Sequence, residues 1–173
     1  MIKFVLNILI RAIKVGLKLD TQIAQDVLCL PKKYVIKINV LPKNKSVTIK
    51  LENGKITKLK HWQYENVDLM VEFKDEKSAK EVLLGKTSIS TSFCEHRIKI
   101  YGSVNDAITL TRIVNLIECY LFPKFIYSKL FTPQPKMEEN KLKFYLTFLF
   151  GGKLWNILNL QTTLKFALAK MHL

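Results

Sequence analysis

Along residues 34–40, YVIKINV, apolar and polar positions alternate, with Tyr34, Ile36, Ile38 and Val40 on one side. A period of two is the mark of a half-buried strand. SVTIKLENGKITKLK (46–60) carries the same alternation on either side of Asn53-Gly54, which predicts a hairpin closed by a tight two-residue turn. VDLMVEFK (67–74) sets Val67, Leu69, Val71 and Phe73 against Asp68, Glu72 and Lys74, and RIKIYG (97–102) reads as a further strand.

Elsewhere the period is helical. In Met1–Leu19 the polar residues Lys3, Asn7, Arg11, Lys14 and Lys18 form one narrow stripe on an otherwise apolar segment, and Asp20–Leu30 extends it as a second short helix before Pro31. DEKSAKEVLLG (75–85) predicts a short helix with acids in its first turn and Gly85 as its stop. Residues 103–122 predict a long helix whose polar stripe is limited to Asn105, Thr109, Arg112 and Asn115. TPQPKMEEN (132–140) reads as a linker, KFYLTFLF (143–150) as a short apolar run, and Leu154–Leu173 as amphipathic. Strands in succession, a helix, another strand and terminal helices describe an α+β fold with helices on one face of a sheet. The expected organisation is a single domain (1–173): a basic N-terminal extension (1–30), a core (34–122), the linker (132–140) and a helical tail (141–173).

Charge divides the chain unevenly. Residues 1–60 hold 13 basic against 3 acidic side chains, residues 61–122 hold 7 against 9, and residues 123–173 hold 8 against 2. The basic flanks call for an anionic surface, nucleic acid or phospholipid headgroups. Only three of the 28 basic residues are arginine, and base-edge reading leans on the arginine fork. Trp62, Tyr64, Tyr127 and Trp155 do not interleave with lysines as a base-stacking platform would, so nucleic acid is the disfavoured partner. Lys3, Arg11, Lys14 and Lys18 are the expected contacts to an anionic membrane surface. The longest uncharged apolar run, Phe144–Gly152, falls short of the ~20 residues of a membrane span. Arg11, Lys14 and Lys18 interrupt the N-terminal stretch and no small-residue cleavage site follows, so the expected location is cytoplasmic, with peripheral docking at a membrane.

Candidate chemistry is sparse. Three cysteines (Cys29, Cys94, Cys119) and three histidines (His61, His96, His172) lack metal-ligand spacing, and neither metal nor cofactor is expected. Cys94-Glu95-His96 supplies thiol, carboxylate and imidazole, yet adjacent positions at a strand start point to opposite faces, so a catalytic role is not expected. The apolar surface of the long helix is the more informative feature. Val104, Ala107, Leu110, Val114, Ile117 and Leu121 make one seam, widened by Ile113, Leu116, Tyr120 and Phe122. By pattern alone this is core, with the terminal helices filling the space beside it.

The ordered set VDLMVEFKDE, EVLLGK, a short segment ending in Phe93, and RIKIYGSVNDAITL resembles the sterol carrier protein type 2 family over about Ile56–Phe122. The segment TSISTSF departs from the family's short helix, which commonly begins with proline. The resemblance implies a curved five-stranded sheet covered by helices on one face, with extra N- and C-terminal helices here. It also implies a tunnel for a fatty acyl chain, sterol or similar lipid, lined in this chain by Leu69, Val71, Phe93, Ile100, Leu110, Val114 and Ile117. Family members also serve as accessory modules beside a partner enzyme. The alternative function is a non-catalytic accessory or interaction subunit with a filled core.

Overall fold

The structure, a computed structural model, describes residues 2–43, 45–60, 66–131 and 133–151. The alternating segments become β1 (Lys33–Val40), β2 (Val47–Glu52), β3 (Lys55–Leu59), β4 (Leu69–Phe73) and β5 (Ile98–Tyr101). They form one sheet in the order β3-β2-β1-β4-β5, in which β1 and β4 are parallel and the other pairs antiparallel. The hairpin turn is Asn53-Gly54, with φ of 49° and 73°, the left-handed pair that matches the twist of the flanking strands.

The alternation decides which face is buried. Tyr34, Ile36, Val40, Val47, Ile49, Leu51, Leu69, Phe73 and Ile98 point into the core, while Lys37, Thr48, Lys50, Glu72 and Lys99 keep access to solvent. Val67, expected inside, precedes β4 and is exposed.

Helices cover the apolar face. α1 (Ile2–Leu19) buries Ile2, Leu6, Leu9, Ile10, Ile13 and Val15, and α2 (Thr21–Leu28) follows after the single residue Asp20. α3 (Glu76–Leu83) starts on Asp75, whose carboxylate accepts from Ser78 N–H at 2.7 Å. It stops at Gly85 (φ 68°), where Gly85 N–H donates to Val82 O and Lys86 N–H to Glu81 O, the paired bonds of a Schellman close. α4 (Ile89–Cys94) is short and capped by Ser88. α5 (Val104–Leu121) is the long helix, capped by Ser103. α6 (Lys124–Leu130), which the hydropathy pattern did not announce, and α7 (Lys141–Phe150) complete the described chain.

The Pro-containing segment between α6 and α7 is tied down. Glu138 accepts from Thr21 through backbone N–H (2.7 Å) and hydroxyl (2.6 Å), and Met137 packs on the core. Buried Asp20 caps α2 by accepting from Gln22 and Ile23 N–H, and also accepts from the Tyr120 hydroxyl at 2.6 Å. Tyr120 in turn accepts from Glu139 N–H and stacks on Phe144 at 4.7 Å. One aspartate thus joins α2, α5 and the segment leading into α7. The expected amphipathic stretch Leu154–Leu173, with Trp155 and His172, lies outside the described residues, as do His61, Trp62 and Tyr64.

Candidate functional site

Between the sheet and α5 is a cavity of about 60 Å³ with almost wholly apolar walls. Ile38, Val71, Phe73, Ile98 and Ile100 form its floor, contributed by β1, β4 and β5. Val82 and Leu83 of α3 and Ile89 of α4 close one side. Leu6 and Leu9 of α1 reach in from another. α5 supplies Ala107, Leu110, Thr111, Val114 and Glu118, a stripe at the 3.6-residue period.

Of the residues expected to line a tunnel, Val71, Ile100, Leu110 and Val114 meet around this space. Leu69 and Ile117 do not border it; both are fully buried in the surrounding core. Leu69 opens β4, two residues before Val71 on the same face, and Ile117 sits against Gly16 at the α1 contact. Phe93, expected at the lining, is instead 49% exposed. In α4 the residues turned inward are Ile89, at the cavity, and Ser92, fully buried, so the next position along the helix faces away.

The wall from α1 changes the expectation for the N-terminal segment. Its broad apolar face packs inward and closes the cavity, so that face is not free to lie in a membrane. Lys3, Arg11, Lys14 and Lys18 are exposed along the outer stripe, and Phe4 stands out among them at 68% exposure. Arg11 reaches α7, donating to the Leu149 carbonyl at 3.3 Å with its guanidinium over the Phe148 ring. On α7 itself Leu142, Leu146, Leu149 and Phe150 are exposed, four positions that share one helical face.

Glu118 is the site residue that the hydropathy pattern passed over. It is 4% exposed and continues the cavity-facing stripe of α5. Burial pushes its carboxyl up to about 8, because an apolar surround disfavours the charged form. Thr111, the other polar lining residue, donates its hydroxyl to the Ala107 carbonyl at 2.8 Å. Next to Glu118, Cys119 belongs to a separate cluster with Tyr127 and Phe131, where burial pushes its thiol up to about 11.

Cys94, Glu95 and His96 do not open the strand, which begins at Ile98. Cys94 ends α4 rather than starting the strand, Glu95 is held by Arg97 at 2.7 Å, and His96 occupies a left-handed turn at φ 55°. Among the described residues no group of three or more His, Cys, Asp or Glu side chains is placed to hold a metal ion, and no helix is long and apolar enough to cross a membrane.

No family model matches the chain, and no curated protein matches it. Solved structures do. The chain is similar to a UbiJ-SCP2 ubiquinone synthesis protein at 12% identity, over 56% of this chain and 80% of that one, with a TM-score of 0.43. It is similar to sterol carrier protein 2 from Yarrowia lipolytica in its apo form at 18% identity, over 61% and 86% of the two chains, with a TM-score of 0.42. It is also similar to part of the sec-alkylsulfatase Pisa1 from Pseudomonas sp. at 14% identity, over 58% of this chain and 14% of the enzyme, with a TM-score of 0.40.

Proposed function

We propose that the chain is a non-catalytic lipid-binding module that holds an acyl chain or similarly apolar ligand between its sheet and α5. The observation that carries this reading is the apolar cavity itself, walled by three strands and four helices. At about 60 Å³ it is smaller than the ~150 Å³ that admits benzene. In the closed form it therefore takes the tip of a chain, and the rest of the ligand enters by displacing Leu6 and Leu9 of α1. The energetics permit this exchange. Exposing two leucines costs roughly 1.5–3 kcal/mol each, whereas ten buried methylenes return roughly 8 kcal/mol. The outer surface supports docking on an anionic bilayer, with Leu142, Leu146, Leu149 and Phe150 of α7 as the apolar contact and Lys3, Arg11, Lys14 and Lys18 of α1 as the basic one.

Native mass spectrometry of the purified protein tests the ligand directly, and a co-purified lipid mass is expected. Val114→Phe then tests its place. The larger side chain occupies ligand space, so uptake of a fluorescent acyl chain falls about ten-fold or more while the thermal midpoint moves little. If the space does not serve a ligand, the extra volume costs ~1–3 kcal/mol and leaves uptake unchanged, which would remove the proposed function.

A further inference from the structure

Among the described residues that line this largely apolar cavity, Glu118 carries a polar group with no hydrogen bond or ion pair. The other polar residue of the lining, Thr111, already donates to the Ala107 carbonyl, and burial raises the Glu118 carboxyl. Burying a carboxyl costs free energy that a leucine or methionine at the same position would not. Among the described residues, several ionisable groups on the elements around α5 point to other partners or spaces, while Cys119, next in the chain, lies in a separate cluster. Lys141 of α7 donates to the Phe122 carbonyl and lies over the Tyr127 ring. Lys80 of α3 borders a separate hollow with Ile2 and Val5, Glu81 pairs with Arg97, and Glu139 with Lys143.

We propose, resting on the lipid-binding reading above, that Glu118 is the hydrogen-bonding anchor for the polar end of the ligand, and that it selects an uncharged end, a hydroxyl or amide, over a carboxylate. A protonated carboxyl both donates and accepts, which matches a hydroxyl or amide with no charge buried. The burial that pushes Glu118 up to about 8 keeps that protonated form dominant at neutral pH. A carboxylate brought to the same place would bury its charge among largely apolar walls with no cation among the described lining residues, at a cost of several kcal/mol. Anionic lipids with the same tail are thereby rejected. Glu118 sits on α5 four residues beyond Val114 on the same stripe, so the ligand's end is held beside the helix and its tail runs along the seam toward Leu110.

Three probes of one chain length separate the roles: 1-dodecanol, 1-bromododecane, which offers no hydrogen-bond partner of strength, and dodecanoate. Each is titrated at neutral pH into the wild-type protein, Glu118→Gln and Glu118→Leu. The wild type is expected to bind 1-dodecanol about ten-fold or more tightly than dodecanoate, and Glu118→Gln to keep that affinity. Glu118→Leu weakens 1-dodecanol about ten-fold, the worth of one such bond, while 1-bromododecane binds as tightly as before or more so. A purely structural Glu118 would move both probes together. If Glu118→Leu binds 1-dodecanol like the wild type, or the wild type accepts dodecanoate equally well, the anchor is overturned and lipid binding stands. If no probe binds the wild type, both fall.

Discussion

At the scale of single residues, the carboxyls of Glu118 and Asp20 are both buried yet differ in consequence. Asp20 accepts from two backbone N–H groups and the Tyr120 hydroxyl, so its lone pairs are satisfied and it fixes the α1–α2 junction. Glu118 accepts no such bonds among the described residues, and burial raises its proton affinity. With a folded value raised from 4.5 to about 8, the folded chain holds a proton that the unfolded chain has released. This contribution to stability is complete below the unfolded value and is lost as pH climbs through the folded one. Thermal midpoints measured from about pH 5 to about pH 9 are therefore expected to fall for the wild type. The decline should flatten in Glu118→Leu, which should also melt higher at neutral pH because the unpaired carboxyl is gone. Parallel curves for the two proteins would show that the carboxyl is solvated in the folded state.

Among elements, α1 decides most. It is amphipathic, and the structure spends its apolar face on the core rather than on a partner: Leu6 and Leu9 at the cavity, Ile10, Ile13 and Leu19 in the core around it. Its approach to α5 and α2 is close at Gly16, where an added Cβ would lie 2.6 Å from Ile117 Cδ1 and 2.7 Å from Ile23 Cδ1, so those side-chain ends would have to shift. α1 is thus both a wall and the element whose displacement enlarges the site. Leu9→Ala is expected to lower stability by about 2–5 kcal/mol, seen as a lower denaturant midpoint. The vacated volume joins the cavity, so acyl-chain uptake should rise in the same variant. Reduced uptake alongside reduced stability would mean that α1 collapses into the gap, and that its side chains are filling rather than gate.

For the whole molecule, charge and apolar exposure coincide on the surface formed by α1 and α7. Arg11 links the two helices through the Leu149 carbonyl and the Phe148 ring. Exposed lysines run along α1, and exposed leucines and Phe150 along α7. Binding to vesicles should need anionic lipid and should weaken as salt shortens the screening length from about 8 Å at physiological strength to ~3 Å at 1 M. Sedimentation with neutral and anionic vesicles at low and high salt reads this out. A double substitution, Leu146→Ser with Leu149→Ser, separates the apolar contribution from the electrostatic one, lowering affinity without changing its salt slope. Equal sedimentation with neutral vesicles, or none with either kind, would remove the docking surface.

Period and turn chemistry by themselves determined the α+β class, the five strands to within one or two residues, the Asn53-Gly54 hairpin, the Gly85 stop and the long helix, because each follows from neighbours in the chain. Tyr34, Ile36, Leu69 and Phe73 were legible as core for the same reason: their side of the pleat is fixed locally. α6 was not, since Lys124–Leu130 is seven residues held partly by Tyr127 packing beside Cys119. Nor was the orientation of Phe93, which depends on how a six-residue helix sits against the sheet. A broad apolar face on α1 is the same sequence signal whether a bilayer or a sheet receives it. Only the tertiary structure brought Leu6 and Leu9 to the same cavity as Val114 and Glu118, and the buried acid near the end of α5 acquires meaning from groups distant in sequence that remove its water.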